Sequence, residues 1–383
     1  MARILTNPLN ILKTVGNEQK SILIVLPNDM IGGAEQHLRN IAINYAKRDY
    51  NIYVLITRNI FTNQWNNLGE NIFPIPPNSH VDKYDLAHVL KQIYYLSRSA
   101  NLTFTFSSHT YINGMLGILR RVSLLRTKHL VFRESTTLFT RYHGFKILTY
   151  RVLYWIGYGA SDLVICQTQR MKTQLIQNIK KASNWHVKVI PNPIELQLVK
   201  HMAKEDSLVN IRGDYIVAAG RLIPVKGFDI LMESYSALRQ EFPNLSLVIL
   251  GEGPERDSYK RLIKSLNIEN SVHLIGHVSN PIPFFKGAKA CVVSSLVEGF
   301  PNVLLQMMAV NDIIVSTTCA GGIDNIMGLF TCDPNSVHQL TSTIIKALDS
   351  ASSINTQAQF NEFLSKNSLD NYIQRLERYV DEQ

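Results

Sequence analysis

The sequence contains no long hydrophobic run. Its apolar stretches, such as LVILG and ACVVSS, have the length of β-strands and fall short of the roughly 18 to 20 residues that span a bilayer. The first twenty residues, MARILTNPLNILKTVGNEQK, include neither an uninterrupted apolar segment nor a small-residue cleavage site. We therefore expect no membrane span and no secretory signal, and a chain that stays in the cytoplasm.

Cysteine is also scarce. The four cysteines lie far apart, with no close Cys or His partner at metal-ligand spacing; they are Cys166, Cys291, Cys319 and Cys332. Isolated cysteines of this kind are typical of buried thiols in a reducing compartment. The sequence thus predicts core thiols and no metal site.

Acidic residues are few in the first half of the chain. Residues 1–194 hold 23 Lys or Arg and 9 Asp or Glu, a net charge of +14, whereas the remaining residues have a net charge of −5. A positive field attracts nucleic acid, a phosphorylated acceptor or an anionic membrane surface. Nucleic acid fits least well, because no basic recognition helix and no stacking-aromatic motif appears.

The length of 383 residues favours two domains. Short β-branched runs alternate with helical stretches in two series, from SILIVLPN to VKVIPNP and from YIVAAG to IIVST, which is the pattern of parallel sheets with crossover helices. We predict an α/β fold with a first domain at 1–194 and a second at 195–365. The amphipathic helix at 366–383 is predicted to pack back on the first domain.

Two glycine loops follow strands, where open parallel sheets bind their ligands. Gly32 and Gly33 stand before a helix whose amino terminus attracts anions, although a tight turn explains the pair equally well. In AAGRLIPVKGFDIL, Arg221 and Lys226 follow Gly220 and precede another helix. Two cations in this position suit a diphosphate, and solvated surface charges are the alternative.

The stretch EGFPNVLLQ, from Glu298 to Gln306, is the most informative loop. Pro301 suits the first position of a helix, so the backbone N–H groups of the next three residues are predicted to be open to a phosphate; these are Asn302, Val303 and Leu304. Glu298, on the loop ahead of the helix, is a candidate acceptor for sugar hydroxyls. Gln306 comes about one and a half turns into the helix, and the sequence does not determine which side of the helix it lies on.

Four segments in this order and spacing resemble the carboxyl-terminal domain of retaining glycosyltransferase family 4, of the bacterial surface-polysaccharide type: GRLIPVKGFDIL, LVILGEGPERD, HLIGHV and VSSLVEGFPNVLLQMMAV. The likeness extends back through VIPNPIE and SDLVICQT to the GGAE loop, from about Ser21 to Thr317. It implies the GT-B fold, with two facing Rossmann-like domains, parallel sheets and a nucleotide sugar in the cleft between them. It also implies that no cofactor and no metal is needed.

The resemblance assigns roles in catalysis and in donor binding. Glu298 would contact the donor sugar, Arg221 and Lys226 the diphosphate, and the amides of 302–304 the phosphate. The further donor-binding positions are Gly32, Gly33, Gly220, Gly299, Phe300 and Pro301. The family's second Glu, which holds the nucleotide ribose, falls on Gln306, and a neutral amide there would weaken donor binding by on the order of tenfold. The family also usually has a glycine near Asn311, so the turn there is expected to differ.

The family often has a histidine at a strand end of the amino-terminal domain, facing the donor. Here SSHT offers His109, and FRES offers Arg133 and Glu134. The resemblance does not choose among the three. His109 and Glu134 join the catalytic candidates on this basis.

The resemblance implies retaining transfer of a hexosyl or N-acetylhexosaminyl group from a nucleotide-diphosphate sugar, with UDP favoured, to a glycan acceptor in surface polysaccharide synthesis. Two stretches that mix basic and apolar residues, GMLGILRRVSLLRTKH and FKILTYRVLYWIGY, fit helices on an anionic membrane, which favours a lipid-linked acceptor and a peripheral position on the inner face. Leucines that face the core explain them equally well. A weakly catalytic or non-catalytic nucleotide-sugar-binding module and a nucleotide-sugar epimerase are the alternatives.

Overall fold

The computed structural model describes residues 19–30, 32–58, 64–77, 86–135, 139, 144–205, 211, 213–350 and 356–382, without the side chains of residues 145 and 146. The contacts divide the chain into two compact units. Unit 1 is Met1–Pro191 together with Tyr372–Gln383, and unit 2 is Asn192–Asn371.

Unit 1 contains a seven-stranded parallel sheet with the strand order β3-β2-β1-β4-β5-β6-β7. The strands are β1 (Lys20–Leu26), β2 (Asn51–Ile56), β3 (Ile72–Ile75), β4 (Asn101–Ser107), β5 (His129–Arg133), β6 (Leu163–Cys166) and β7 (Val187–Val189). The helices are α1 (Gly33–Ala46), α2 (Leu86–Ser99), α3 (Thr110–Arg121), α4 (Phe145–Gly157) and α5 (Gln169–Asn178). Strand β1 is apolar from Ile22 to Leu26 and fully buried there, as expected where helices cover both faces of a parallel sheet.

Unit 2 repeats this plan with six parallel strands in the order β10-β9-β8-β11-β12-β13. The strands are β8 (Tyr215–Ala219), β9 (Ser246–Leu250), β10 (Val272–Gly276), β11 (Ala290–Val293), β12 (Ile314–Thr317) and β13 (Phe330–Cys332). The helices are α6 (Leu196–Met202), α7 (Phe228–Leu238), α8 (Arg256–Ser265), α9 (Ile282–Gly287), α10 (Asn302–Met308), α11 (Val337–Asp349) and α12 (Thr356–Lys366), and α13 (Leu369–Asp381) follows.

Both sheets reverse their strand order at the first strand of the series. In unit 1 the reversal places β1 beside β4, and in unit 2 it places β8 beside β11, with Ile216 opposite Ala290. Ligands of open α/β sheets bind at such switch points, at the carboxyl ends of the strands. Two pairs of loops, one pair in each unit, are therefore the first places to look for a site.

Strands β3 and β13 were not predicted, and both lie at the edge of their sheet. Each is short, at four and three residues, and Pro74 interrupts the donor pattern of β3. Edge strands tolerate proline because one side of the strand forms no ladder. Neither segment has the buried apolar run by which the central strands were recognised.

Helix α13 belongs to unit 1 from Tyr372 onward. The apolar positions spaced by four, Tyr372, Leu376 and Val380, are all buried. The Tyr372 hydroxyl lies 3.0 Å from His37 Nε2, and the Tyr45 hydroxyl donates to Glu377 over 3.0 Å. The amphipathic stripe thus packs against α1, with polar contacts at its margin.

All four cysteines are buried and free, as predicted. Burial raises the pKa of the Cys332 thiol to about 11 and that of Cys319 to about 12, so both stay protonated at neutral pH. Within the described ranges, no helix combines the length and the apolar character that crossing a membrane requires.

Candidate functional site

The loops that follow β8 and β11 meet at the switch point of unit 2. The Leu296 amide donates to the Val225 carbonyl over 2.8 Å, and the Ser294 hydroxyl donates to the Lys226 carbonyl over 2.9 Å. These bonds join the loop that contains Arg221 and Lys226 to the loop that contains Glu298. The predicted cations and the predicted carboxylate are therefore brought together.

Gly227 fixes the end of the first loop. It has a φ of +61°, in the left-handed region, and it precedes helix α7. A Cβ atom added to it would lie 2.3 Å from the Ser294 carbonyl oxygen. Another residue at this position would be strained and would push the two loops apart.

Glu298 and Lys226 form an ion pair in which Nζ and Oε1 are 2.5 Å apart. The Ser295 hydroxyl donates to the same oxygen over 3.0 Å. Among the described residues, the other carboxylate oxygen has no hydrogen-bond partner, and the Glu298 side chain is 19% exposed. The site thus offers one held oxygen, one open oxygen and an ammonium group beside them.

Arg221 is exposed, and its guanidinium has no partner within the described part of the chain. Its neighbour Leu222 is anchored by two backbone bonds, from its own amide to the Glu252 carbonyl (2.9 Å) and from the Glu255 amide to its carbonyl (3.1 Å). Backbone bonds to the turn LGEGPERD thus hold the loop that contains Arg221 in place. Arg221 is free to reach an anion, whereas Lys226 already neutralises a carboxylate.

Helix α10 begins at Asn302, and Pro301 is its N-cap. The prediction that Pro301 occupies the first helical position is wrong by one residue. The Leu304 amide donates to the Pro301 carbonyl over 3.0 Å, so the prediction that it is open does not hold either. Proline has no N–H to offer but keeps its carbonyl, which the first turn uses.

The residues that flank this turn lie against the interior of unit 2. Gly299 and Leu304 are buried, and Phe300 and Val303 pack against the core of unit 2. Asn192 donates to the Asn302 side chain over 2.6 Å and to the Phe300 carbonyl over 3.3 Å. Asn192, which belongs to the segment VIPNPIE, thereby holds the loop before α10 in place. In the sequence, only the family resemblance relates this segment to that loop.

Gln306 is half-buried in the second turn of α10, and its amide has no hydrogen-bond partner among the residues that the structure covers. Three residues after the end of the same helix, Asn311 is 8% exposed. Its amide donates to the carbonyls of Phe285 and Ala288, each over 2.8 Å, and its oxygen accepts from the Ile313 amide. Side-chain bonds thus fix the turn where the family usually has a glycine.

In unit 1 the switch point joins Glu35 to His109. His109 is the N-cap of α3, two residues after the end of β4, and its Nε2 lies 2.9 Å from Glu35 Oε1. The other Glu35 oxygen accepts from the Gly32 amide over 3.1 Å. The Gly32 amide, at the helix amino terminus that was predicted to attract anions, is therefore already bonded to a carboxylate of the same helix, which disfavours an anion at Gly32.

His109 is a neutral imidazole at neutral pH. Burial, and then the Arg133 guanidinium, lower its pKa to about 4. Donation from Nε2–H to Glu35 leaves Nδ1 as the ring's acceptor. Nδ1 is buried and has no hydrogen-bond partner among the described residues.

Glu134 and Arg133 are each 4% exposed. The hydroxyls of Tyr154 and Tyr158 donate to the two Glu134 oxygens over 2.5 and 2.6 Å. Burial raises the pKa of Glu134, although both hydroxyls stabilise the charged form. Of the three residues the sequence left open, His109 has the most accessible side chain, whereas Glu134 has the geometry of an interior hydrogen-bond acceptor.

Three residues of these sites were not singled out from the sequence: Ser295, Asn192 and Glu35. A Glu at the third position of a helix is a capping signal, so Glu35 was detectable as a helix residue. Nothing in the local pattern shows that it also contacts His109, because that contact spans two strands. Ser295 and Asn192 likewise depend on tertiary contacts.

Both halves of the chain match known protein families. Residues 31–198 match the family Glycosyltransferase Family 4, and residues 200–366 match the family Glycosyl transferases group 1. The crystal structure of Anabaena Alr3699/HepE in complex with UDP-glucose superimposes with a TM-score of 0.77 at 18% identity, over 95% of this chain and 100% of that one. Together with the two parallel-sheet units, this likeness confirms the predicted GT-B fold.

Two relatives align with about half of the chain. An uncharacterized glycosyltransferase of Methanocaldococcus jannaschii, MJ1059, is 31% identical over 186 residues, which are 47% of this chain and 45% of the relative. The N-acetylgalactosamine-N,N'-diacetylbacillosaminyl-diphospho-undecaprenol 4-alpha-N-acetylgalactosaminyltransferase of Campylobacter jejuni is 31% identical over 201 residues, 52% and 53% of the two chains. The alignments thus span about half the length of each relative. Because the two family matches together account for most of the sequence, the chain belongs to the GT-B glycosyltransferases, with a family 4 amino-terminal part and a group 1 carboxyl-terminal part.

Proposed function

We propose that this protein transfers a sugar, with retention of configuration, from a nucleotide-diphosphate sugar to a glycan acceptor in polysaccharide synthesis. The observation that supports this most strongly is the Lys226–Glu298 pair at the switch point of unit 2. It places an open carboxylate oxygen beside an ammonium group, which matches a sugar hydroxyl next to a diphosphate. UDP is the favoured nucleotide, and the sugar is a hexose or an N-acetylhexosamine.

In this proposal the donor binds to unit 2. The open oxygen of Glu298 accepts a hydrogen bond from a sugar hydroxyl, Arg221 binds the diphosphate as a bidentate donor, and Lys226 lies between the two groups. Positive charge in a fixed position stabilises the departing diphosphate more strongly than water does, because it needs no reorganisation. This electrostatic effect requires neither a metal nor a nucleophilic side chain, so we propose that the protein uses neither.

His109 is the amino-terminal residue that we propose for contact with the donor. A neutral imidazole held by Glu35 through Nε2–H keeps Nδ1 as an acceptor, and because this buried nitrogen has no partner among the described residues, we propose that it accepts from a sugar hydroxyl once the donor is bound. Glu134 is the less suitable candidate, because two tyrosines already occupy its oxygens.

For the acceptor we propose a lipid-linked glycan, so that the protein works at the inner face of the cytoplasmic membrane. The support is the Campylobacter jejuni relative, whose name gives a diphospho-undecaprenol acceptor. The surplus of positive charge in residues 1–194 fits an acceptor with a diphosphate and an anionic membrane around it.

The first experiment is a thermal-shift screen with UDP, GDP, ADP and their sugars. A ligand at a hundredfold excess over its Kd stabilises the folded state by about 2.7 kcal/mol, which is readily measured. We expect a response to one nucleotide series, and no response to any of them would contradict the proposal. Glu298→Gln should leave this response almost unchanged.

The second experiment uses the responding nucleotide sugar with extracted lipid-linked glycans. We expect transfer with the anomeric configuration retained, as determined by NMR of the product, and we expect Glu298→Gln to remove most of it. An epimer formed from the donor alone would indicate an epimerase. Binding without transfer or hydrolysis would indicate a binding module.

A further inference from the structure

Helix α4 exposes an apolar stripe on the surface of unit 1. Four large hydrophobic side chains, at successive spacings of four, three and one residues, are exposed to solvent: Leu148 by 53%, Val152 by 47%, Trp155 by 60% and Ile156 by 37%. Single exposed apolar residues are common on protein surfaces, whereas four on one helix form a contiguous patch that marks an interaction site.

The opposite side of α4 is occupied. Tyr154 is fully buried, and a Cβ atom added to Gly117 of α3 would lie 2.0 Å from the Gly157 carbonyl oxygen of α4. The two helices thus pack backbone against backbone at this point. The helix cannot turn its stripe inward without losing this contact, so the exposure of the stripe is built into the fold.

Cations surround the stripe. Arg151 lies on α4 itself, and Lys180 and Lys181 begin the 3₁₀ turn that follows α5. The Lys181 ammonium lies 4.2 Å from the centre of the Trp155 ring. None of the three forms an ion pair with a described residue, and together with Val152 and Trp155 they line an open cavity of about 430 Å³.

Acidic side chains are nearly absent from this part of the chain. Residues 135–194 hold eight Lys or Arg and a single acidic residue, Asp162. Asp162 is already engaged, because its carboxylate pairs with Arg120 and accepts from the Leu130 amide. The positive side chains of a protein partner would meet almost no negative charge here. A uniformly negative surface could instead form ion pairs with many of these Lys and Arg residues.

We propose that this face of unit 1 docks on an anionic lipid bilayer. This inference rests on the proposed function, in which the acceptor is a lipid-linked glycan at the membrane. Leu148, Val152, Trp155 and Ile156 enter the interfacial region, where tryptophan is favoured, and Arg151, Lys180 and Lys181 contact lipid phosphates in and around the cavity. The sequence pointed to two stretches. The structure selects the second, because Leu116, Leu119 and Leu125 of the first stretch are buried and its exposed apolar residues, Val122 and Leu124, follow helix α3 and form no stripe along a helix.

The test is cosedimentation of the full chain with vesicles of phosphatidylcholine alone and of an equal mixture with phosphatidylglycerol. We expect binding to the mixed vesicles that weakens with salt, and little binding to phosphatidylcholine. Lys180→Glu/Lys181→Glu should weaken it by at least about fivefold per lysine, and Trp155→Ser should weaken it as well. The matched controls in unit 2, Lys264→Glu/Lys346→Glu and Met327→Ser, change exposed residues in the same way and should bind like the wild type.

A fluorescence readout locates the contact. Of the three tryptophans, Trp155 is 60% exposed, whereas Trp65 is 1% exposed and Trp185 is half-buried, so a shift of the emission to shorter wavelength on vesicle addition should be lost in Trp155→Phe. Equal binding to both vesicle types, or variants that bind like the controls, would overturn the proposal. A dimer in sedimentation velocity that Trp155→Ser dissociates would assign the face to a second copy instead. No arm needs a nucleotide sugar, so failure here and failure of the proposed transfer are distinguished.

Discussion

Glu35 Oε1 and His109 Nε2 lie 2.9 Å apart and join the first turn of α1 to the loop that follows β4 in unit 1. The same carboxylate accepts from the Gly32 amide through its other oxygen. One side chain thus orders the glycine loop and also sets which ring nitrogen of His109 carries the proton. The contact forms at the point where the strand order of the sheet reverses.

The first prediction concerns this tautomer. In the wild type, ¹⁵N NMR should show His109 with a protonated Nε2 and an unprotonated Nδ1 at pH 7, with the signal assigned by its loss in His109→Gln. In Glu35→Gln the amide cannot accept from both Gly32 and His109 without turning its NH₂ towards a donor. We expect a mixed tautomer and a kcat lowered by on the order of tenfold, at nearly unchanged KM. An unchanged ring spectrum in this variant would contradict the positioning role.

The second prediction concerns Lys226. Lys226→Met leaves the held oxygen of Glu298 with Ser295 as its donor and removes a cation from the proposed diphosphate site. We expect a loss of about 1–3 kcal/mol in the free energy of unfolding and a weaker nucleotide response in the thermal-shift screen. Lys289→Met, at an exposed ion pair of the same unit, is the control, and it should change neither quantity appreciably. Nucleotide affinity equal to that of the wild type would exclude Lys226 from the donor site.

The third prediction concerns Gln306. Its amide is half-buried and has no partner within the described ranges, so a carboxylate at this position would meet a ligand rather than an internal donor. Gln306→Glu should tighten nucleotide binding by on the order of tenfold in isothermal titration, since a charge-assisted bond replaces a neutral one. Gln240→Glu is the control for the added charge, because Gln240 is an exposed residue two positions after the end of α7. Equal tightening in both variants would mean that Gln306 does not contact the nucleotide.

The fourth prediction follows from the lowered pKa of His109, about 4 in the folded state against an ordinary value near 6.5. Between these two values the unfolded chain binds a proton that the folded chain does not. The free energy of unfolding should therefore fall as the pH drops through this window, by on the order of 3 kcal/mol from this group. Urea unfolding from pH 7 to pH 5 should show a steeper loss in the wild type than in His109→Gln. Parallel curves would show that His109 does not titrate in this way.

The fifth prediction concerns metal. If Arg221 and Lys226 supply the charge that stabilises the leaving diphosphate, chelation should leave transfer unchanged. Activity is measured after dialysis against a chelator and again after Mg²⁺ or Mn²⁺ is restored. A transfer rate that falls on chelation and returns with the metal would show that the protein needs a metal. The nucleotide thermal shift, measured on the same chelated sample, is the control that the donor site is still folded.

The sequence by itself determined the two α/β series, the central strands and the loops that contain the charged residues. These follow from local patterns: a buried parallel strand needs a continuous apolar run, and a loop at its end is free to hold polar residues. Glu298, Lys226 and Arg221 were found in this way, and their loops are joined as expected. The edge strands β3 and β13 escaped because a short strand with one free side leaves a weak pattern.

Only the tertiary structure decided which side chains meet and which are covered. It paired Glu35 with His109, enclosed Glu134 between two tyrosines, and closed the Leu304 amide on Pro301. It also separated the two basic and apolar stretches, placing Leu116 in the core and Trp155 in solvent. Their local composition is alike, and the difference lies in which side chains meet the core: Leu116 of α3 packs into the core of unit 1, whereas α4 buries Tyr154 and leaves Trp155 outside.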